Sequence, residues 1–362
     1  MSDIQSRGSV ALLRPAPAAK APALPAMRQL LDRVFAEGCR ASDPVACLET
    51  LIEEGFSTLP QPGSGKTLAR FALLADVASR SLPLAKLYEA HTDAMAIFTE
   101  LDKNEPLPSG TWGVFAAEAQ PPALFVDTAM HDQVVLSGVK DWCSGALDLS
   151  HALVTARTRS GQPVLVAVAL KDERVKITKG PWAAIGMART ETARLEFNDM
   201  PGKRVGEPND YIERPGFWHG AIGIAACWYG GASLIADKIH ASLLHRQDDH
   251  SLAHLGAVVA ALHAARTTLV SAAASIDADP AANQRALALA CREVVESACQ
   301  KVLIHAGRAL GAKPFCMDAQ FAAMAADLPV FLRQSHAERD LQQLGALALK
   351  KDPQWTRFSN SL

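Results

Sequence analysis

Lys140-Asp141-Trp142-Cys143-Ser144-Gly145 lies at the end of a β-prone run, near the middle of a chain of 362 residues. Further short β-prone runs surround this hexapeptide, and turn residues separate them at close, regular intervals. Such spacing is typical of a compact antiparallel sandwich or barrel. The runs span residues 122–127, 133–136, 151–155, 164–168, 174–177 and 192–197. We therefore predict a small β-domain from about Trp112 to Pro208.

Both flanks of this β-domain have helical patterns. Apolar residues from Met27 to Val34 recur at the i, i+3, i+4 and i+7 spacing of an amphipathic helix. Asp43-Pro44 is the pattern of an N-cap followed by proline at the first helical position. A longer helical run over residues 67–99 is broken near Pro83. On the C-terminal side, alanine-rich helices are predicted near residues 216–245, 251–277, 281–309 and 317–348.

The order of these patterns predicts an α+β fold with a central antiparallel β-sandwich or barrel at residues 106–212. An N-terminal helical domain precedes it at 27–105, and a C-terminal helical bundle follows at 213–350, where long helices pack on one another. Residues 1–26 are rich in alanine and proline and are predicted to be a disordered lead-in. Residues 351–362 form a tail.

Composition and charge narrow the classes of partner. Hydrophobic residues make up 49% of the chain, charged residues 20%, and the net charge is −2. This balance provides no field that would gather nucleic acid or an anionic membrane surface, and no apolar run is read as a membrane span. The seven cysteines lack metal-ligand spacing and indicate a reducing cytoplasm. We expect a cytoplasmic protein without a nucleic-acid, membrane or metal partner.

Two other patterns have ordinary explanations. Gly63-Ser64-Gly65-Lys66-Thr67 is similar to the end of a phosphate-binding loop, but Pro60 stands where the full motif requires its first glycine. An interhelical loop that leads into a helix is the better interpretation. Five histidines between residues 240 and 263 lack the carboxylate or cysteine that would complete a metal site, which favours solvated or capping roles.

The helical–β–helical order and three segments within it resemble the acyl-CoA dehydrogenase superfamily, over roughly residues 28–348. Residues 136–146 are similar to the family's "G-x-K-x-W/F-I-T/S" strand, which lies against the flavin ring. Residues 185–201 are similar to the "G-x-R-x-S-x-T-x-x-L-x-F-x-D-V-x-V-P" stretch that closes its β-domain. Residues 308–312 resemble a degraded "Q-x-x-G-G-x-G" turn. The resemblance implies a bound FAD and an acyl thioester between the β-domain and the helical bundle.

A cofactor site follows from these residues. The indole of Trp142 offers a flat face to an isoalloxazine ring, and Ser144 offers a hydroxyl to its polar edge. The ordinary alternative is that Trp142 belongs to the core, as a single tryptophan in a strand usually does. The resemblance also places Ala117 where the family has a threonine. The predicted cofactor-binding residues are Ala117, Trp142, Cys143, Ser144, Arg308 and Gly311.

The motif that contains the family's catalytic base is absent from this sequence. The family's glutamate lies in "Y-E-G-T", and counting from Asp327 places Ser335 at that position. His336 and Glu338 are the candidate catalytic residues nearby; the alternative is that both are surface charges. A second departure is Gln120-Pro121-Pro122, which replaces the glycine-rich part that accommodates the thioester.

Three functions remain open on this basis. The leading hypothesis is an FAD-dependent oxidoreductase that oxidises the α,β-bond of an acyl-CoA or a related acyl substrate. The first alternative is a flavin-dependent monooxygenase of the same fold, which needs no glutamate base and takes electrons from a reductase partner. The second is a non-catalytic partner subunit of an active paralogue. By analogy with the family, we expect a homodimer or homotetramer.

Overall fold

Helices, then strands, then helices follow one another along the chain, as the sequence predicts. The computed structural model describes residues 23–36, 43–102, 108–117, 123–130, 132–180, 182–245 and 248–350, without the side chains of 128–130. The predicted tail at 351–362 and most of the predicted lead-in lie outside the described residues.

In the described residues the N-terminal domain contains four helices, α1–α4. They span Leu24–Ala36 (α1), Pro44–Leu51 (α2, continued by a π-helical turn, Ile52–Phe56), Thr67–Ala78 (α3) and Leu82–Leu101 (α4). α1 begins three residues earlier than predicted, because Pro25 is tolerated in a first turn, where no intrahelical N–H is needed. Asp43 caps α2 as expected, accepting hydrogen bonds from the N–H groups of Val45 and Ala46. Pro83 lies in the first turn of α4, which explains the predicted break.

Seven strands form the central domain: Trp112–Phe115 (β1), Leu124–Met130 (β2), Gln133–Cys143 (β3), His151–Thr158 (β4), Pro163–Ala169 (β5), Val175–Lys179 (β6) and Ala193–Arg204 (β7). Five of them close into a barrel in the order β4-β2-β3-β7-β5, because β5 pairs with β4 again. β1 extends the sheet beside β4, and β6 pairs with β7. The expected β-domain is thus a closed barrel, although β4 pairs in parallel with both β1 and β2.

The C-terminal domain is a helical bundle. Its helices are Asp210–Glu213 (α5), Pro215–Leu243 (α6), Asp249–Ala278 (α7), Arg285–Leu310 (α8), Lys313–Met317 (α9), Ala319–Phe331 (α10) and Glu338–Ala348 (α11). The single helix predicted at 317–348 is wrong. Asp318 starts a new helix by capping α10 through the N–H of Phe321, and Ala337, with φ +45°, interrupts the chain before α11.

One helix in the described part of the chain, α7, is long and apolar enough to cross a membrane by length and composition. Its most apolar window has a mean hydropathy of 1.4, and 33% of that window is buried. The sequence-based expectation that no apolar run reaches this length therefore fails for α7. Bundle helices of soluble proteins meet the same criterion, and α7 packs on α3, α6 and α8.

The glycine-rich loop at residues 63–67 joins two parts of the helical core. The N–H groups of Gly65 and Thr67 and the hydroxyl of Thr67 all donate to the carboxylate of Asp277, at 3.0, 3.1 and 2.6 Å. A carboxylate of the chain itself therefore occupies the donors at the start of α3. This arrangement agrees with the interpretation as an interhelical loop.

Candidate functional site

A β-bulge places Trp142 on the surface of the barrel. Between the paired positions Lys140–Leu195 and Cys143–Ala193, β3 contains one residue more than β7. Trp142 adopts φ +65°, a left-handed conformation that is costly for a side chain this large, and 66% of it is exposed. Bulges redirect side chains beside functional sites. Trp142 is therefore not a core residue, and the cofactor interpretation is the one that its position favours.

A second indole lies beside it. Trp182 meets Trp142 edge to face, with ring centroids 6.0 Å apart and an interplanar angle of 77°. The indole N–H of Trp182 is buried, and no described residue accepts its hydrogen bond. A buried donor without a partner is rare in native proteins and points to an acceptor on a ligand or water.

The two residues after Trp142 face different surroundings. Cys143 is fully buried, its thiol lies near the carbonyl oxygens of Lys140 and Asp141, and burial raises its pKa to about 12. Its side chain points into the barrel, so only its main chain is available to a cofactor. Ser144 is half-buried, and its hydroxyl lies 3.0 Å from the hydroxyl of Thr192.

The loop that contains Thr192 is held against the helical bundle. A Cβ atom on Gly186 would lie 2.0 Å from the carbonyl oxygen of Ala326 in α10, so only glycine fits this contact. The next residue, Met187, donates its N–H to the carboxylate of Asp327 at 2.5 Å. Met187 and Glu191 both adopt positive φ, so this loop is strained as well. Strained backbone concentrated beside an exposed aromatic residue is a common feature of functional sites.

Ala117 and Trp142 line the same cleft on the barrel, together with Thr155 and Arg157. The floor of this cleft includes Lys140, a buried lysine whose ammonium group donates to the carbonyl oxygen and the hydroxyl of Thr155, at 2.8 and 2.7 Å. The fold thus brings together two predicted cofactor residues, Ala117 just after β1 and Trp142 in β3. The neighbouring Gln120-Pro121-Pro122 lies outside the described residues.

The candidate bases lie at the surface. The side chain of His336 is 66% exposed, and its Nδ1 atom is 3.5 Å from Asp340. Glu338 is exposed in the first turn of α11. Ser335 is buried instead, and its hydroxyl oxygen accepts a hydrogen bond from the N–H of Ala337 at 3.1 Å. The catalytic role of His336 and Glu338 stays a prediction, but in the described part of the chain no residue encloses them as a proton-abstracting base requires.

Arg308 and Gly311 are at a different place in the molecule. Both lie at the carboxyl end of α8, which Gly311 terminates with φ +65°. In the described structure α8 packs mainly on α6, α7 and α11, within the helical bundle. In the described part of the chain neither residue shares a hydrogen bond or a ring contact with Trp142, and their role in cofactor binding stays a prediction.

Several residues near the site carried no signal in the sequence. Trp182 lies in an irregular loop, where neither periodicity nor spacing marks a residue, and Thr190 ends a 3-10 turn inside the 185–201 segment without having been assigned a role. His91 in α4 is fully buried, and its ring nitrogens contact the N–H of Trp112 and the hydroxyl of Ser57, at 3.2 and 3.1 Å. Burial lowers its pKa to about 4, so His91 is a neutral link between α4 and β1.

Comparison with known proteins supports the fold. The chain matches no protein-family model and no curated protein in sequence. Its structure is similar to KijD3, solved with FMN and dTDP-3-amino-2,3,6-trideoxy-4-keto-3-methyl-D-glucose (TM-score 0.75, 18% identity, 92% of this chain and 96% of that chain). It is also similar to TdsC, a dibenzothiophene monooxygenase from Paenibacillus sp. A11-2, solved with FMN and indole (0.74, 16%, 90% and 95%).

A third similar structure is the methanesulfinate monooxygenase MsuC from Pseudomonas fluorescens (TM-score 0.73, 18% identity, 90% of this chain and 96% of that chain). At these identities the similarity establishes the fold alone. The expected acyl-CoA dehydrogenase-like architecture is confirmed at that level, and the chemistry has to be argued from the residues of this chain.

Proposed function

We propose that this protein is a flavin-dependent monooxygenase that receives reduced flavin from a partner reductase. The observation that carries the proposal is the bulge at Trp142, which exposes an indole face beside the hydroxyls of Ser144 and Thr192. The unpartnered N–H of Trp182 adds a donor at the same place. A flat apolar surface edged by hydroxyls and one free donor fits an isoalloxazine ring, whose rim is polar. Once bound, reduced flavin supplies the electrons that activate oxygen.

The position of the candidate bases favours this function over acyl-CoA oxidation. Removal of an α-proton requires a carboxylate close to the substrate carbon, with its pKa adjusted by burial. His336 and Glu338 are exposed, and buried Ser335 stands where the family has its glutamate. A monooxygenase needs no such base, so this departure affects only the dehydrogenase hypothesis.

FMN is the flavin that we propose in place of FAD, which was the expectation from the sequence. KijD3 and TdsC, two proteins with this fold, were solved with FMN. The substrate class that we propose is a small molecule with an oxidisable nitrogen or sulfur atom. Support comes from the similar structures. KijD3 was solved with a nucleotide-linked amino sugar, TdsC is a dibenzothiophene monooxygenase, and MsuC is a methanesulfinate monooxygenase.

Titration with flavin tests the cofactor. We expect added FMN to quench the tryptophan fluorescence of the purified protein and to bind more tightly than FAD. A protein that takes up neither flavin would instead support the non-catalytic subunit, which keeps the fold and pairs with an active paralogue.

Turnover tests the reaction. With NADH, FMN and a general flavin reductase, we expect the protein to add oxygen to a member of a panel of amines, thiophenes and sulfinates. Anaerobic bleaching of the bound flavin by an acyl-CoA would contradict the monooxygenase and restore the dehydrogenase. His336→Ala and Glu338→Ala should both retain FMN binding, whereas loss of acyl-CoA bleaching in either variant would identify the dehydrogenase base.

We also propose that the protein is a homo-oligomer and that α7 and α8 form its interface. Val259 and Ile304, on these two helices, are 59% and 53% exposed, which is unusual for large apolar side chains. The groove between the helices has a floor of small residues with Glu293 and Lys301 at its edges. They are eight positions apart on α8, about 12 Å along its axis. A two-fold axis between two copies would pair each glutamate with the lysine of the other copy.

Charge reversal tests this interface. Glu293→Lys and Lys301→Glu should each shift the light-scattering mass towards the monomer, and the double variant should restore the oligomer because the pairs are re-formed with reversed sign. A monomeric wild-type protein that binds lipid vesicles through α7 would overturn the proposal.

A further inference from the structure

We propose that the hydroxyls of Ser144, Thr192 and Thr190 form a hydrogen-bond relay with one fixed direction, and that this relay makes the site select reduced over oxidised flavin. The inference rests on the proposed flavin site. It adds a role for two threonines, Thr190 and Thr192, to which the sequence patterns assign none. The relay contains three hydroxyl groups and ends at one carbonyl oxygen, that of Met187.

The direction is set at the buried end. The hydroxyl of Thr190 lies 2.8 Å from the carbonyl oxygen of Met187. A carbonyl oxygen can only accept, so Thr190 must donate its single proton there. Thr190 is 2% exposed, which leaves no room for water as a competing partner. The oxygen of Thr190 is then available only as an acceptor.

Each further step follows from the one before. Thr192 and Thr190 have their hydroxyl oxygens 2.9 Å apart, and Thr190 has no proton left, so Thr192 donates. Ser144 and Thr192 are 3.0 Å apart, and Thr192 has now used its proton, so Ser144 donates. Ser144, at the half-exposed end, therefore presents only acceptor lone pairs to any ligand.

The fold keeps the terminal carbonyl in place. The peptide of Met187 is fixed by the bond from its N–H to Asp327, and its carbonyl oxygen also accepts from the N–H of Thr190 at 3.0 Å. The N–H of Gly145 donates to the carbonyl oxygen of Thr190 at 2.7 Å, which ties the loop to the residue after Ser144. Reversal of the relay would leave the hydroxyl oxygen of Thr190 2.8 Å from the carbonyl oxygen of Met187 with no proton between the two acceptors.

The direction of the relay affects which redox state of a flavin ring binds more tightly. A reduced isoalloxazine ring carries an N–H group where the oxidised ring has a nitrogen lone pair. A hydrogen-bond acceptor at the polar edge of the ring attracts the N–H group of the reduced form and repels the nitrogen lone pair of the oxidised form. The relay therefore favours the reduced ring, which is the form that a partner reductase would deliver to this protein.

Removing the buried hydroxyl tests the relay. In Thr190→Val, Thr192 loses its acceptor and turns to donate to Ser144, whose proton is then free for the ligand. We expect the wild-type protein to bind reduced FMN at least tenfold more tightly than oxidised FMN, measured anaerobically. The ratio of the affinity for reduced FMN to the affinity for oxidised FMN should fall about tenfold in Thr190→Val. A tenfold fall lowers the two-electron midpoint potential of bound FMN by about 30 mV. Thr190→Ser keeps the hydroxyl and should restore the ratio.

Two further variants separate the relay from a merely structural role. Thr192→Val also frees the proton of Ser144 and should lower the ratio equally, at a half-exposed position that puts folding less at risk. Thr92→Val is the matched control, because Thr92 is fully buried and its hydroxyl donates to a carbonyl of its own helix. This variant should leave the ratio unchanged even where it lowers the melting temperature.

The possible results are distinct. A fall of both affinities in Thr190→Val with an unchanged ratio would reduce the relay to a structural role and overturn the inference. Equal wild-type affinity for the two redox states would overturn the inference while the proposed flavin function stands. A wild-type protein that binds neither state would overturn both.

Discussion

The carboxylate of Asp327 accepts a hydrogen bond from the N–H of Met187 at 2.5 Å, across 140 residues of sequence. This contact joins α10 to the loop that ends the hydroxyl relay, and the guanidinium group of Arg189 lies 3.8 Å from the same carboxylate. Burial raises the pKa of Asp327, while the N–H of Met187 and the charge of Arg189 oppose the rise. The carboxylate of Asp327 is therefore kept partly desolvated, and it serves as the hydrogen-bond acceptor for the N–H of Met187 in the loop.

Replacing Asp327 tests that interpretation. Asp327→Ala leaves a buried N–H without a partner and should destabilise the protein by about 1–3 kcal/mol, with weaker FMN binding. Asp327→Asn keeps an acceptor without the charge. Because the folded-state pKa of Asp327 is raised, ionisation of this carboxylate costs stability as pH rises through that pKa, so the neutral Asp327→Asn variant should be at least as stable as the wild-type protein at pH 7. Thermal unfolding and FMN titration provide both readings.

Asp318 offers a control on the same helix, since it caps α10 nine residues before Asp327, about 13 Å along the helix axis. Asp318→Ala should lower the melting temperature without a comparable loss of FMN affinity. Equal losses of affinity in the Asp318 and Asp327 variants would mean that general loosening of α10 explains both.

Trp142 should matter for binding and not for stability. Its side chain is 66% exposed, so Trp142→Ala removes little buried area, and the free energy of unfolding should change by less than about 0.5 kcal/mol. FMN affinity should fall about tenfold or more, as expected for loss of an aromatic contact of about 1.4 kcal/mol. Trp142→Gly should even stabilise the protein, because glycine adopts φ +65° without strain.

Trp228 provides the opposite case. It is fully buried in α6 beneath the guanidinium group of Arg292, so Trp228→Ala should destabilise by about 3–5 kcal/mol. If Trp142→Ala unfolded as readily as Trp228→Ala, the indole at 142 would be a structural residue and the proposed ring contact would lose its support.

The sequence predicted the site residue Trp142 but not the reason for its exposure. A bulge is defined by the register of two strands, and the shift against β7 depends on Leu195 and Ala193, more than fifty residues further along the chain. Trp182 and Thr190 were missed for a similar reason. Their roles depend on partners that only the folded chain brings near, whereas sequence patterns report local periodicity.

The helical regions show the same limit. The stripe from Met27 to Val34 and the cap at Asp43 were predictable because each is local. The division of residues 317–348 between α10 and α11 was not, since Ala337 adopts an unusual φ that no local pattern requires. Arg308 and Gly311 were assigned by resemblance alone; they lie at the carboxyl end of α8, and their role in cofactor binding stays a prediction.

Asp277 should be a strong contributor to stability. It accepts three hydrogen bonds from Gly65 and Thr67, which start α3, and it lies near the end of α7. Asp277→Ala should destabilise by about 2–3 kcal/mol, because hydrogen bonds to a charged group are stronger than neutral ones. Urea unfolding measures the change. Asp279→Ala, two residues away at the end of α7, is the control; an equally large loss there would contradict a specific role for Asp277.

Glu89 should give the folded protein a pH dependence near neutrality. It is 6% exposed in α4, with the ammonium group of Lys86 3.7 Å away, and burial raises its pKa to about 7, opposed by Lys86, Arg70 and Arg292. The folded pKa lies above the unfolded one, so this contribution to stability is complete below about pH 4.3 and is lost as pH rises through 7. The loss at high pH is on the order of 4 kcal/mol, at about 1.36 kcal/mol per pKa unit.

Glu89→Gln removes the titrating group and tests the assignment. Glutamine is neutral at every pH, so the free energy of unfolding should vary less between pH 5 and pH 8.5 than in the wild-type protein, and the variant should be relatively more stable at the upper end. Glu213→Gln is the matched control, because Glu213 is exposed in α5 and should leave the wild-type slope intact. If the pH dependence of stability survived in Glu89→Gln, another group would be responsible for it. The buried His91 contributes a pH dependence of opposite sign, because its pKa of about 4 makes the fold lose stability as pH falls.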